Sequence, residues 1–184
     1  MARSYVSERV VVRERYFWPP IQLNFWTIII LVAGSLELGV FAQFIQIQQR
    51  LDLGIPWLFP YGVTVGSLVV FLVILEIIMI AQNRLLPGVM MLASFALFVL
   101  FLTGVIETAI QLFGAGDVSS NCQNYVTNNP VRGLSVDTLA WLQQSSICSS
   151  WYAAFAFWVI GSVFFVWMFI MAAAVGRGVY EPVR

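Results

Sequence analysis

Four stretches of the chain are almost uninterrupted runs of apolar side chains. They fall at about 25–45, 61–81, 87–113 and 151–175, and polar or mixed segments separate them. Each run carries the roughly 20 apolar residues that a helix needs to cross a hydrocarbon core about 30 Å thick. Helices are expected because a lipid-exposed segment must satisfy its backbone hydrogen bonds internally. Membrane β-strands are shorter and alternate in polarity. The pattern therefore predicts an all-α membrane protein, one domain over 1–184, built as a four-transmembrane-helix bundle. Residues 46–60 and 114–150 form its two outer loops. Pro87 opens the third span, where a missing N–H costs nothing. Within the second outer loop, SVDTLAWLQQ predicts a short helix capped by Ser135 or Asp137, with Leu139 and Trp141 turned to the membrane face.

Composition agrees with the pattern. Apolar residues make up 60% of the 184 and charged residues 10%, against roughly 25% charged in a soluble domain. There is no lysine or histidine, and the formal charge is zero. That argues against nucleic acid as a partner, because such proteins present a basic face. The arginines are unevenly placed. Arg3, Arg9, Arg13, Arg15, Arg84, Arg177 and Arg184 fall on one side of the four spans, and Arg50 and Arg132 on the other. The positive-inside rule then predicts both termini in the cytoplasm of a plasma-membrane or secretory-pathway protein. The basic, aromatic N-terminal tail reads either as a segment drawn to anionic lipid or as an ordinary topology-setting flank.

Cys122 and Cys148 are the only cysteines, and both fall in the 114–150 loop. If that loop is non-cytoplasmic, a disulfide is the expected state, with two free thiols as the alternative. Two thiols without histidine are too few ligands for zinc, so no metal is expected. Small residues suggest packing positions. Ser35, Gly39, Ala42 and Gln46 form a smooth stripe on the first span, and Gly62 and Gly66 stand at a GxxxG spacing in the second. Such positions let backbones approach where lipid supplies no hydrophobic drive. They are expected to pack the four helices together.

Three acids interrupt the spans: Glu37, Glu76 and Glu107. Glu107 lies near the outer rim beside Thr103 and Gln111, and a structural role is expected. Glu37 lies near the midplane. It shares a face with Ala33, Gly34 and Phe41, nearly opposite the Ser35–Gly39 stripe. If that stripe faces the bundle, Glu37 faces something else. Glu76 sits in FLVILEIIMI with no local partner. A carboxyl in that setting favours its neutral form and can donate one hydrogen bond to another helix. Intramembrane acids are candidates for function by default. Helix–helix bonding, lipid or partner recognition, and ion or proton handling are the three roles open to them.

No Gly-rich phosphate loop, HExxH or nucleophile elbow appears, and the common bases histidine and lysine are missing. A non-enzymatic protein without cofactor is expected. The short inner turn QNRLLPG and the run SSNCQNYV…AWLQQSSICSSWYAAFAFWVIGSVFFVWMFIMA resemble MARVEL-type tetraspan proteins, in particular fungal MARVEL-like proteins of the non-classical export group. The resemblance covers about residues 20–176. It implies membrane-domain formation or traffic, with homo-oligomers or partner complexes, and it supports the Cys122–Cys148 bridge. The expected partners are the lipid bilayer, a sterol or anionic lipid, and other subunits of a larger membrane assembly. The alternative is a small channel or transporter-like unit using Glu37 and Glu76.

Overall fold

The computed structural model describes residues 18–82, 85–114, 117–128, 130 and 136–178. Its elements in chain order are α1 (Pro20–Arg50), α2 (Leu58–Ala81), α3 (Pro87–Phe113), α4 (Val118–Cys122) and α5 (Val136–Gly176). A five-residue π-helical segment, Gln123–Thr127, follows α4 directly. There is no strand among the described residues. Proline starts two of the long helices. Pro20 and Pro87 each occupy the first turn, and the open N–H groups of Leu23 and Met90 bond back to the carbonyls of Pro19 and Leu86. The N-terminal arginines, Arg84, Arg132, Ser135 and Arg184 lie outside the described residues, as does the expected inner-leaflet segment.

α3 keeps the bounds of its apolar run, and the other three long helices exceed theirs. α1 begins at Pro20 and runs to Arg50, and α2 begins at Leu58. The largest correction is at the fourth span. The expected short helix over SVDTLAWLQQ is the first part of α5, continuous with the span. The reason lies in composition: no glycine or proline interrupts the chain between Val136 and Gly161. At 1.5 Å per residue the 41 residues of α5 reach about 60 Å, twice the thickness of a hydrocarbon core. Its N-terminal part therefore projects from the apolar layer. Leu139 is exposed there, and Trp141 turns to the preceding segment, its Nε1 donating to the Val126 carbonyl at 3.1 Å.

Burial alternates at spacings of three and four along all four long helices. The seam of α1 includes Leu23, Thr27, Ile30, Gly34, Glu37, Phe41 and Phe44, with Ala33 beside Gly34. That of α2 includes Gly62, Gly66, Val69, Val73 and Glu76. On α3 it includes Met90, Ser94, Leu97, Phe101, Gly104 and Thr108, and on α5 Ala154, Trp158, Gly161, Phe165, Met168 and Ala172. A mean spacing of 3.5 is the heptad periodicity of left-handed helical bundles. The packing is strongest within the α1–α2 and α3–α5 pairs. α1 also meets α5, and α2 meets α3 sparingly.

Glycines set the close approaches within the pairs. A Cβ on Gly66 would lie 2.8 Å from the Gly34 carbonyl oxygen and 2.8 Å from the Leu38 nitrogen. Between α3 and α5, Gly104 receives the Trp158 indole and Gly161 receives the Phe101 ring. Trp158 is wholly buried, with ring centroids 4.7 Å from Phe101 and 6.0 Å from Phe41. Tilted and edge-to-face pairs of this kind each contribute about 0.5–1.5 kcal/mol beyond simple contact.

One end of the bundle gathers the start of α1, the α2–α3 turn and the end of α5. Trp18 Nε1 donates to the Leu85 carbonyl at 3.3 Å, and a Cβ on Gly176 would touch the Pro87 ring. At the other end Phe44 stacks on Trp151 at 5.2 Å and packs on Phe59 at 5.4 Å. There the Cys122–Cys148 disulfide joins α4 to α5, with Cα atoms 5.8 Å apart. A Ser119–Tyr152 hydrogen bond of 2.8 Å adds a second tie.

Candidate functional site

The acid of the second span finds its partner on the first. Thr27 Oγ1 lies 3.0 Å from Glu76 Oε1 and 2.8 Å from the carbonyl oxygen of Leu23, one turn back in α1. A hydroxyl has one hydrogen, so it cannot donate to both. Both contacts are satisfied together when the hydroxyl donates to Leu23 and a protonated Glu76 donates to the hydroxyl. Thr27 and Glu76 are both seam residues, 8% and 5% exposed. The bond therefore crosses the tight α1–α2 interface within one chain.

Beside Glu76 a cavity of about 220 Å³ separates α2 from α3, the most loosely packed of the adjacent pairs of long helices. Its walls are apolar, with Ile30 of α1 and Phe165 of α5 at the back. Among the described residues, Glu76 and Ser94 are the only side chains with polar oxygens that line it. Ser94 is seven residues above Pro87 and Glu76 five above Ala81. At 1.5 Å per residue they stand about 10 Å and about 8 Å from the same end, at nearly one depth. Leu75, Ile78 and Val89 line the cavity and are also 38–50% exposed on the outer surface, so it opens sideways.

Glu37 occupies a different environment. It is 0% exposed, and neither carboxyl oxygen has a hydrogen-bond partner among the described residues. Thr108 Oγ1 and the indole nitrogens of Trp26 and Trp158 are likewise buried and unbonded. The face that carries Ala33, Gly34, Glu37 and Phe41 is the one that enters the bundle. The expectation for the small stripe is thereby reversed: Ser35, Gly39 and Gln46 lie exposed on the opposite side of α1. The physical reason is bulk. Phe41 and Phe44 fill the bundle interior with rings, whereas a Cβ on Gly39 would meet nothing within 4 Å. Gly62 and Gly66 are buried against α1, and the place of a Cβ on Gly62 is taken by the Phe41 ring. Glu107 is half-buried, as are its neighbours Thr103 and Gln111.

Sequence reasoning missed Thr27 and Ser94, which look like incidental hydroxyls in apolar runs. Depth counted from the apolar run hid Thr27, which lies two residues past its start at about 25; counted from the helix start at Pro20 it is seven residues in, level with Glu76 and Ser94 from the same end. A second hollow of about 330 Å³, among Cys122, Thr127, Ser145 and Tyr152, flanks the disulfide. No group of three metal-ligating side chains comes together among the described residues.

No family model matches the chain, and no curated protein or solved structure matches it. The four long apolar helices define an integral, multi-pass membrane protein in contact with the lipid bilayer.

Proposed function

We propose that the chain is a non-enzymatic organiser or accessory subunit of a larger membrane assembly, the role that its resemblance to MARVEL-type tetraspans implies. The observation that carries this reading is the outward position of the small-residue stripe. Ser35 and Gly39 are exposed on α1, with Gln46 further along the same side. A smooth helix face in lipid gains more from a second helix than from mobile acyl chains, because backbones can approach closely and polar groups can bond across. The binding of neighbouring helices, from copies of this chain or from another membrane protein, is the activity such a face serves.

Crosslinking and native mass measurement in mild detergent test the reading. Oligomers or co-purifying complexes are expected from the unmodified chain. Gly39→Leu should abolish them while leaving helix content and the disulfide unchanged, since its Cβ has open space around it. The channel or transporter reading makes the opposite forecast: a monomer that carries ion or proton flux in liposomes, with flux lost in Glu37→Gln and Glu76→Gln.

A further inference from the structure

We propose that the cavity between α2 and α3 is a binding site for a slender neutral lipid bearing a hydroxyl, with the hydroxyl held between Glu76 and Ser94. The site stands on its own geometry and does not depend on the organiser role. Its polar groups come from two helices, at one depth, across an otherwise apolar space. Thr27 engages Glu76 through Oε1. When Glu76 donates its proton to Thr27, its second oxygen, Oε2, is left as an acceptor. Ser94, 3% exposed, supplies a hydroxyl that can donate and accept. An alcohol is the simplest head that matches both, since it donates one hydrogen and accepts another. A charged head is disfavoured, because no basic side chain lies in α2 or α3 and the walls are hydrocarbon.

Size selects the body of the ligand. A cavity of about 150 Å³ takes one benzene ring. About 220 Å³ therefore takes a short length of alkyl chain, and a rigid four-ring sterol body does not fit inside. The rest of the chain would leave through the lateral opening past Leu75, Ile78 and Val89 and lie in the bilayer. An apolar cavity open to lipid fills with some chain in any case. The specific content of the proposal is the head: an alcohol should displace an alkane.

The test uses the full chain in phosphatidylcholine nanodiscs with a hexadecanol carrying a photoactivatable diazirine. Labelled peptides are mapped by mass spectrometry. Labelling is expected to concentrate on residues 72–79 and 89–97. Unlabelled hexadecanol should compete about fivefold better than hexadecane, the margin that one net hydrogen bond supplies. Ala93→Phe, which fills the cavity, should abolish labelling there, and Glu76→Leu should erase the preference for alcohol over alkane. The competition series needs no variant and so does not depend on any variant folding. Equal competition by hexadecane, stronger competition by hexadecylamine or by a sterol, or labelling spread evenly over the lipid-facing surface would each overturn the proposal.

Discussion

At the scale of single residues, the two deep acids show how a carboxyl is kept in an apolar bundle in two ways. Glu76 is held by Thr27 on the neighbouring helix, whereas Glu37 is enclosed without any bond among the described residues. They should therefore respond oppositely to replacement. Thr27→Val removes the partner of Glu76 and is expected to destabilise by about 0.6 kcal/mol and at most about 1.7, the mean and maximum found for hydrogen bonds between membrane helices. Glu37→Met replaces an unbonded buried polar group by an apolar one of similar length, and is expected to raise stability by about 1–3 kcal/mol. Thermal unfolding in one detergent measures both. A loss of stability in Glu37→Met would show that Glu37 has a partner outside the described residues. The acids themselves stood out in the sequence, and Glu76 could be read as needing an acceptor on another helix. The identity of that acceptor was not legible, because it depends on which helix lies beside α2 and in what register.

At the scale of helices, a single period organises the molecule. Seam residues recur at three and four along α1, α2, α3 and α5, so each helix turns one narrow face inward. In a nearly all-apolar helix this period is hidden, since hydrophobicity no longer distinguishes inside from outside. That is why the small stripe of α1 was expected to face inward, while Gly62 and Gly66, with the same character, do pack against a partner. The cue that discriminates is the bulk of the neighbours. Phe41 and Phe44 mark the buried side of α1, and Leu36 and Val32 flank the stripe on the exposed side. Two glycines should accordingly differ sharply on replacement by alanine. Gly66→Ala drives a methyl group into the backbone of α1 at Gly34 and Leu38, and overpacking of this kind costs about 1–3 kcal/mol. Within one chain Gly39→Ala meets nothing, so in a detergent that disperses the protein to monomers it should be neutral, or stabilising by up to about 1 kcal/mol through helix propensity. Comparing the two midpoints in the same detergent checks the assignment of faces, and equal losses in both would sink it.

At the scale of the whole molecule, the fold divides into a core of four long helices and a small cap tied to it by a disulfide and side-chain hydrogen bonds. The number of spans and the pairing of the cysteines were legible, because apolar run length and the presence of only two thiols leave little choice. The joining of the helix over SVDTLAWLQQ to the fourth span was not. Local signals for a helix start near Ser135 are genuine, but nothing breaks the helix before the membrane, and continuity then follows. The consequence is a cap made of α4 and the π-helical segment leaning on the projecting part of α5. It is held by the Cys122–Cys148 bridge, the Ser119–Tyr152 bond and the Trp141–Val126 bond, with lesser contacts to α3. The bridge closes a loop over a sequence separation of 26. On the chain-entropy account it restrains the unfolded chain by roughly 3–4 kcal/mol. The core does not use the bridge: Trp158, Phe101, Phe41 and the glycine contacts all lie within the four long helices. Reduction should therefore loosen the cap and leave the core closed. Hydrogen exchange with and without reductant is expected to show protection lost over 118–127 and 136–150 and retained over 154–175, in α1 and in α2. Exchange rising in α1 and α2 on reduction would instead show that the cap holds the bundle together from outside.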